Sequence, residues 1–129
     1  MDEVMKFLND AGVYYISSVG SDGKPHARPF GSRVIYEGKF YIIMGFPKAV
    51  YDQVMANPYV ELVTMGQERN WIRIAAKAVP VLDEAKRAEI FASRVGVRPF
   101  NPAEQMAFEL TEVTATIHTG GEELQVITW

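Results

Sequence analysis

The sequence predicts a mainly β protein, an antiparallel β-barrel of six to seven strands with flanking helices. Three observations carry this. β-Branched and aromatic runs recur along the chain, tight Gly-containing turns separate them, and only three stretches show the spacing of a helix face. Strands joined by tight turns form antiparallel ladders, and six or seven of them in a short chain close into a barrel because closure removes exposed edges. An open α+β sandwich is the alternative that these patterns leave.

Each element follows from local chemistry. Val4, Phe7, Leu8 and Ala11 recur at i, i+3, i+4 and i+7 and form one face of a first helix, which Gly12 ends. Residues 13–19 form a strand, and Ser21-Asp22-Gly23-Lys24 a hairpin turn in which Asp-Gly supplies positive φ. A second strand runs unbroken over residues 26–36, and Glu37-Gly38 turns the chain into a third over 39–44. After Pro47, Tyr51, Val54 and Met55 are spaced for a short helix that Asn57-Pro58 terminates. Residues 59–65 form the fourth strand, 67–70 a polar turn, and 71–82 a fifth strand in which Pro80 marks an edge or a bulge. Asp83 opens a helix with an apolar stripe of Ala88, Phe91, Ala92 and Val95, stopped by Gly96. Residues 98–102 are irregular, 113–118 a strand, Gly120-Gly121 a turn, and 124–129 the last strand.

A length of 129 residues fits one domain over residues 1–129, and 48% hydrophobic with 22% charged residues is ordinary globular composition. A net charge of −3 without a block of like charge lacks the basic excess that nucleic-acid binding needs. Cysteine is absent, which removes disulfides, thiolate nucleophiles and Cys-ligated zinc. The start, Met1-Asp2-Glu3, is acidic where a signal peptide is basic, and no apolar run reaches the roughly 20 residues of a membrane helix. The expectation is a soluble cytoplasmic protein.

No catalytic constellation stands out. There is no nucleophile elbow, phosphate-binding P-loop or dinucleotide fingerprint. His26 and His118 lack carboxylates at short ligand spacing and predict no metal site, and Ser17 and Ser18 have no histidine nearby. One arrangement is more informative. Arg28 lies on the second strand, and Met44-Gly45-Phe46-Pro47-Lys48 leads from the third strand into the short helix. A helix start presents free N–H groups and partial positive charge, so a hairpin that brings Arg28 beside Lys48 would build an anion site. The alternative is a pair of ordinary surface cations. Pro29 and Gly31 suit a strand whose backbone faces a flat ligand, or a plain edge strand. Trp71 suits a stacked ligand, a subunit interface or the core. Most of Tyr14, Tyr15, Phe30, Tyr36, Phe40 and Tyr41, and all of Met44, Met55 and Met65, read as packing.

Taken together, Glu3-Val4-Met5-Lys6-Phe7-Leu8 before Gly12-Val13-Tyr14-Tyr15, Lys24-Pro25-His26-Ala27-Arg28-Pro29-Phe30-Gly31, Val50-Tyr51-Asp52-Gln53-Val54-Met55-Ala56-Asn57-Pro58 and Asn70-Trp71-Ile72-Arg73-Ile74 resemble the pyridoxamine 5'-phosphate oxidase-like family of FMN-binding split barrels. The resemblance spans nearly the whole chain. It implies a homodimer with two FMN sites at the interface, with Arg28 and Lys48 on the phosphate. The backbone at Pro29 and Phe30 would face the isoalloxazine, with Met44 and Gly45 beside the ribityl chain, Tyr51 and Gln53 on the helix as ligand contacts or as packing, and Trp71 approaching from the partner subunit. Longer pyridoxamine-phosphate oxidases add an Arg- and His-rich C-terminal stretch. Here the chain ends Gln125-Val126-Ile127-Thr128-Trp129, which argues against vitamin B6 oxidation, and Met44-Gly45 replace a Thr or Ser common after the third strand. The implied function is a flavin-dependent oxidoreductase with an unidentified small substrate and no catalytic side chain. The alternatives are a non-catalytic flavin carrier or regulatory module, or a barrel that has lost FMN and binds another phosphorylated ligand.

Overall fold

The computed structural model describes residues 1–46, 48–94, 101–120 and 122–129. Helix α1 (Asp2–Ala11) buries Val4 and Leu8 and packs Phe7 on the same core, as its spacing requires, and ends with the Gly12 N–H on the Leu8 carbonyl at 2.9 Å. Strand β1 (Tyr14–Val19) turns Tyr14, Ile16 and Ser18 inward and pairs along its length with β2 (Pro25–Phe30).

Gly23, at φ 76°, makes the β1–β2 turn. Asp22 organises it: Oδ1 accepts from the Lys24 N–H at 2.9 Å and lies 3.3 Å from His26 Nε2. His26 thus does have a carboxylate beside it, brought there by the turn. The Lys24 N–H first, and His26 second, hold the Asp22 carboxyl below the usual aspartate range. A depressed folded-state pKa means that the turn is fully supported above the unfolded aspartate value, near pH 4, and loses that support as pH falls through the folded one. Protection of the Gly23 and Lys24 amides, measured against the intrinsic exchange rate at each pH, is therefore expected to fall on acidification below about pH 4, and Asp22→Ala to abolish that dependence.

Beyond Phe30 the chain departs from the sequence expectation. Residues 26–36 are not one strand: they break at Gly31-Ser32-Arg33, and β3 (Val34–Tyr36) pairs with β4 (Lys39–Gly45) instead of β1. Side chains satisfy the polar backbone at the break. Ser32 Oγ accepts from the Ile43 N–H at 2.9 Å and donates to the Ile43 carbonyl at 2.7 Å, standing in for a strand partner. The Tyr14 hydroxyl, held protonated by burial, donates to the Ser32 carbonyl at 2.6 Å. This break makes eight strands.

The remaining elements are helix α2 (Ala49–Ala56), β5 (Tyr59–Met65), β6 (Asn70–Pro80), helix α3 (Glu84–Ala92), β7 (Gln105–Thr119) and β8 (Glu122–Thr128). The strands form one antiparallel sheet in the order β2-β1-β5-β6-β7-β4-β3, with β8 also on β7. Its two end strands, β2 and β3, are joined by only residues 31–33, a link that spans at most about 14 Å. The sheet must therefore curl until its ends meet, as a barrel.

β7 is longer than its sequence suggested. Residues 105–112 belong to it because β4 pairs on one side (Tyr41–Gly45 with Glu109–Gln105) and β6 on the other (Lys77–Pro80 with Thr111–Phe108). A bulge sits opposite Ala76, with Glu112 at φ 49°, whereas Pro80 merely ends β6. In α3, Asp83 Oδ1 caps the Lys86 N–H at 3.1 Å. The helix buries Ile90 and Phe91 and leaves Ala88 and Ala92 exposed, because its contact is a small second core made with Val34, Tyr41, Ile43, Val81 and Ala107, which the two large side chains fill. Val95, Gly96, residues 98–100 and Gly121 lie outside the described residues.

The main core fills the barrel with Tyr14, Ile16, Phe40, Ile42, Leu62, Ile72, Ile74 and Phe108, closed by Val4 and Leu8 of α1 and Val50 and Val54 of α2. Met44 belongs to it, but Met55 and Met65 do not: Met65 falls on the outward register of β5 and Met55 on the outer side of α2. Tyr15 likewise points outward and is half exposed. Among the described residues no helix is long and apolar enough to cross a membrane.

Candidate functional site

Barrel closure leaves a seam. β2 pairs only with β1, and Ile42–Gly45 of β4 pair only with β7, so the facing edges of β2 and upper β4 carry no ladder between them. Ser32 stitches one end of the seam, and α2 begins beyond the end of β4.

Arg28 borders this seam, and its contacts run to β1 and α2. It is opposite Ile16, so its side chain rises on the inner face of β2. Nη1 donates to Ser18 Oγ at 2.8 Å and to the Ile16 carbonyl at 3.3 Å, while Nη2 donates to Gln53 Oε1, on α2, at 2.9 Å. The Ser18 hydroxyl, itself buried, closes the triangle by donating to Gln53 Oε1 at 2.5 Å. Arginine has no acceptor, so Gln53 must present its oxygen here. All three acceptors are neutral, and no carboxylate pairs with Arg28 among the described residues. Burial lowers its pKa from the usual value, yet a guanidinium stays charged. A partly buried cation without a counter-ion is costly, and its usual resolution is an anion.

Lys48 stands at the N-cap of α2, exposed and with extended backbone, and supplies no side-chain acceptor to the first-turn N–H groups. Its stem lies over Gly45, where a Cβ would come within 3.4 Å of Lys48 Cε and 3.5 Å of both Gln105 Nε2 and the Glu104 carbonyl. These are ordinary contact distances, so position 45 has room for a small side chain beside the Lys48 stem. The Phe46 N–H donates to the Glu104 carbonyl at 2.9 Å, fixing the turn into α2.

The other residues expected at the site divide. Pro29 is exposed on the edge strand, and Phe30 packs on Tyr14 with ring centroids 6.1 Å apart, so both border the seam. The Met44 side chain does not: it is 1% exposed and points into the barrel, leaving only backbone to meet a ligand. Tyr51 is held between Phe46 at 5.1 Å and Phe108 at 6.1 Å and serves packing. Trp71 is two strands away from β2's neighbour β1 in the sheet order, on the outer face. It stacks on His118 with centroids 4.1 Å apart and planes 10° apart, while Arg73 lies 5.0 Å from its ring centre and 3.1 Å from Glu61. Within one chain Trp71 does not join Arg28 and Lys48.

From sequence Ser18 reads as packing and Gln53 enters only through the resemblance, and nothing joins either to Arg28. The signal was present: Ser18 occupies an inward position after Tyr14 and Ile16, and Gln53 sits between the inward Val50 and Val54. A polar residue on an inward register demands a partner.

The family model described as pyridoxamine 5'-phosphate oxidase matches residues 1–121. The chain belongs to the pyridoxamine 5'-phosphate oxidase family. No curated protein is similar enough to count as a match. Among solved structures, a NimC/NimA family protein from Clostridium acetobutylicum superimposes with a TM-score of 0.84 at 24% identity, over 100% of this chain and 93% of that one. A pyridoxamine 5'-phosphate oxidase-related, FMN-binding protein from Nostoc punctiforme gives 0.65 at 15% identity, over 90% and 82%. A heme-binding protein from Mycobacterium smegmatis gives 0.75 at 11% identity, over 98% of this chain and 56% of that one. These likenesses establish the split-barrel fold of the family for this chain.

Proposed function

We propose that this family member is a flavin-binding redox protein that holds FMN along the seam between β2 and β4. The observation that carries the reading is Arg28, a partly buried guanidinium bound, among the described residues, only to neutral acceptors. The fit extends beyond one residue. Arg28 meets α2 at Gln53, and the same helix opens at the exposed Lys48 with no side-chain cap, so a phosphate reaching that helix start would meet added positive potential. The edge of β2 at Pro29 and Phe30 offers a flat backbone surface to a ring system. Family membership and the FMN-binding relative support the same cofactor.

Bound flavin supplies the hydride or electron transfer, and the chain's residues bind and orient it. Arg28 and Lys48 anchor the anionic end, the backbone at Gly45 borders it, and the Met44 side chain stays in the core. The test is a titration of the purified protein with FMN, followed by addition of NADH or NADPH. Saturable quenching of flavin fluorescence and bleaching of the bound chromophore support a flavin oxidoreductase. Binding without reduction by any donor supports a flavin carrier, and failure to bind FMN overturns the reading.

The working unit in this proposal is a homodimer. Tyr15 and Val63 lie in register on the outer face of the sheet, and Met65 adjoins them at 63% exposed, whereas Arg73 and Thr116 stand between them and Val126. The apolar patch of Tyr15, Val63 and Met65 is suited to burial against a second copy. Sedimentation is expected to give the dimer mass at micromolar concentration with or without flavin, and Val63→Glu the monomer mass. A wild-type monomer would remove the dimer from the proposal.

A further inference from the structure

We infer that Ser18 and Gln53 are positioning residues that aim Arg28 and thereby make the site select a phosphorylated flavin over an unphosphorylated one. The inference rests on the flavin reading above and adds two residues and a specificity to it. A guanidinium has five N–H donors. Both donors of Nη1 go to Ser18 Oγ and the Ile16 carbonyl, and one of Nη2 goes to Gln53 Oε1. The donors left are the Nε–H and the second Nη2–H. They lie parallel along one edge of the planar group, the fork that grips two oxygens of a phosphate at once.

The triangle that holds this orientation is closed. Ser18 Oγ and Gln53 Oε1 are 2.5 Å apart, each accepts from Arg28, and Ser18 is 2% exposed. An arginine free to rotate would dilute the fork over many rotamers, so the triangle spends that entropy before the ligand arrives. The choice of glutamine also matters electrostatically. An amide oxygen orients the guanidinium and leaves its charge uncancelled, whereas a carboxylate at position 53 would orient it equally well and neutralise it.

The experiment measures dissociation constants for FMN and for riboflavin by fluorescence quenching. It compares the wild type with Gln53→Ala, Ser18→Ala and Gln53→Glu, with a thermal melt of each variant to confirm folding. Wild type is expected to prefer FMN by about tenfold or more, the scale of charge-assisted hydrogen bonds. Gln53→Ala and Ser18→Ala should shrink that preference about fivefold while riboflavin affinity stays within about twofold. Gln53→Glu keeps an acceptor oxygen but should erase the preference, and added salt should restore little of it. Variants that lose both flavins in equal proportion, or keep the wild-type ratio, would show a structural role only and overturn the inference while the flavin reading stands. A wild type that binds both flavins equally has the same consequence. A wild type that binds neither overturns the flavin reading and this inference together. Since the two alanine variants remove different corners of the triangle, a folding failure in one leaves the other to decide.

Discussion

Truncating Phe108 to alanine is expected to lower the unfolding free energy by about 3–5 kcal/mol, the usual cost of deleting a fully buried aromatic side chain. The ring is 0% exposed, meets Tyr51 edge-on at 6.1 Å, and stands on β7 where Ile42 of β4 pairs on one side and Pro80 of β6 on the other. Its removal opens a cavity where two ladders and α2 converge, and the surrounding strands are too constrained to collapse into it. The urea midpoint should fall with the slope of the transition unchanged. Val126→Ala, on the outer face, provides the contrast, with a change within about 0.5 kcal/mol for the monomer. A Phe108 variant as stable as that control would mean that residues 105–112 do not pack as described.

Arg28→Ala is the second large effect, and it has two separable parts. Loss of the guanidinium removes the counter-charge of the proposed phosphate, so FMN affinity should fall about 10- to 100-fold, or roughly 1.5–3 kcal/mol. The same change removes the hydrogen bonds to Ser18, the Ile16 carbonyl and Gln53 while Ser18 still donates to Gln53, so the apoprotein should also lose about 1 kcal/mol of stability. Arg28→Lys separates them: it restores charge but neither the fork nor the triangle, and should recover only a fraction of the affinity. FMN titration and urea unfolding read the two parts independently. Undiminished FMN affinity in Arg28→Ala would exclude Arg28 from the phosphate site, even if stability fell as expected.

Much of the fold was legible because period and turn chemistry are local. The inward alternation of β5, with Val60, Leu62 and Thr64 buried, follows from side chains two apart sharing a face. Val4 and Leu8 of α1 follow from the helical period, and the Asp22-Gly23 turn from a residue that accepts positive φ. What failed did so where a distant partner decides. Gly31-Ser32 is a local breaker signal, but Pro29 and Gly31 also suit a single strand at an edge or against a ligand, so local chemistry does not decide the break at residues 31–33. It exists because the barrel has to close and Ser32 takes the place of a strand beside Ile43. Residues 105–112 become strand because β4 and β6 offer edges on both sides. Met65 is outward although methionine favours cores, because strand alternation outranks composition.

The site divides along the same line. Sequence by itself determined the residue types and their order: Arg28 followed by Pro29 and Phe30, a glycine at 45, and Lys48 before a short helix. It also determined the mainly antiparallel β character, since alternation and turns depend on neighbours a few residues away, while closure separated the barrel from the open α+β sandwich. Only the tertiary structure decided that Arg28 leans on Ser18 and Gln53, residues 10 and 25 positions distant, without a carboxylate, and that Trp71 stacks on His118 on the outer face. The physical reason is that hydrogen-bond partners and counter-ions are selected by spatial proximity after closure, and no local pattern encodes which group a side chain will meet across the barrel.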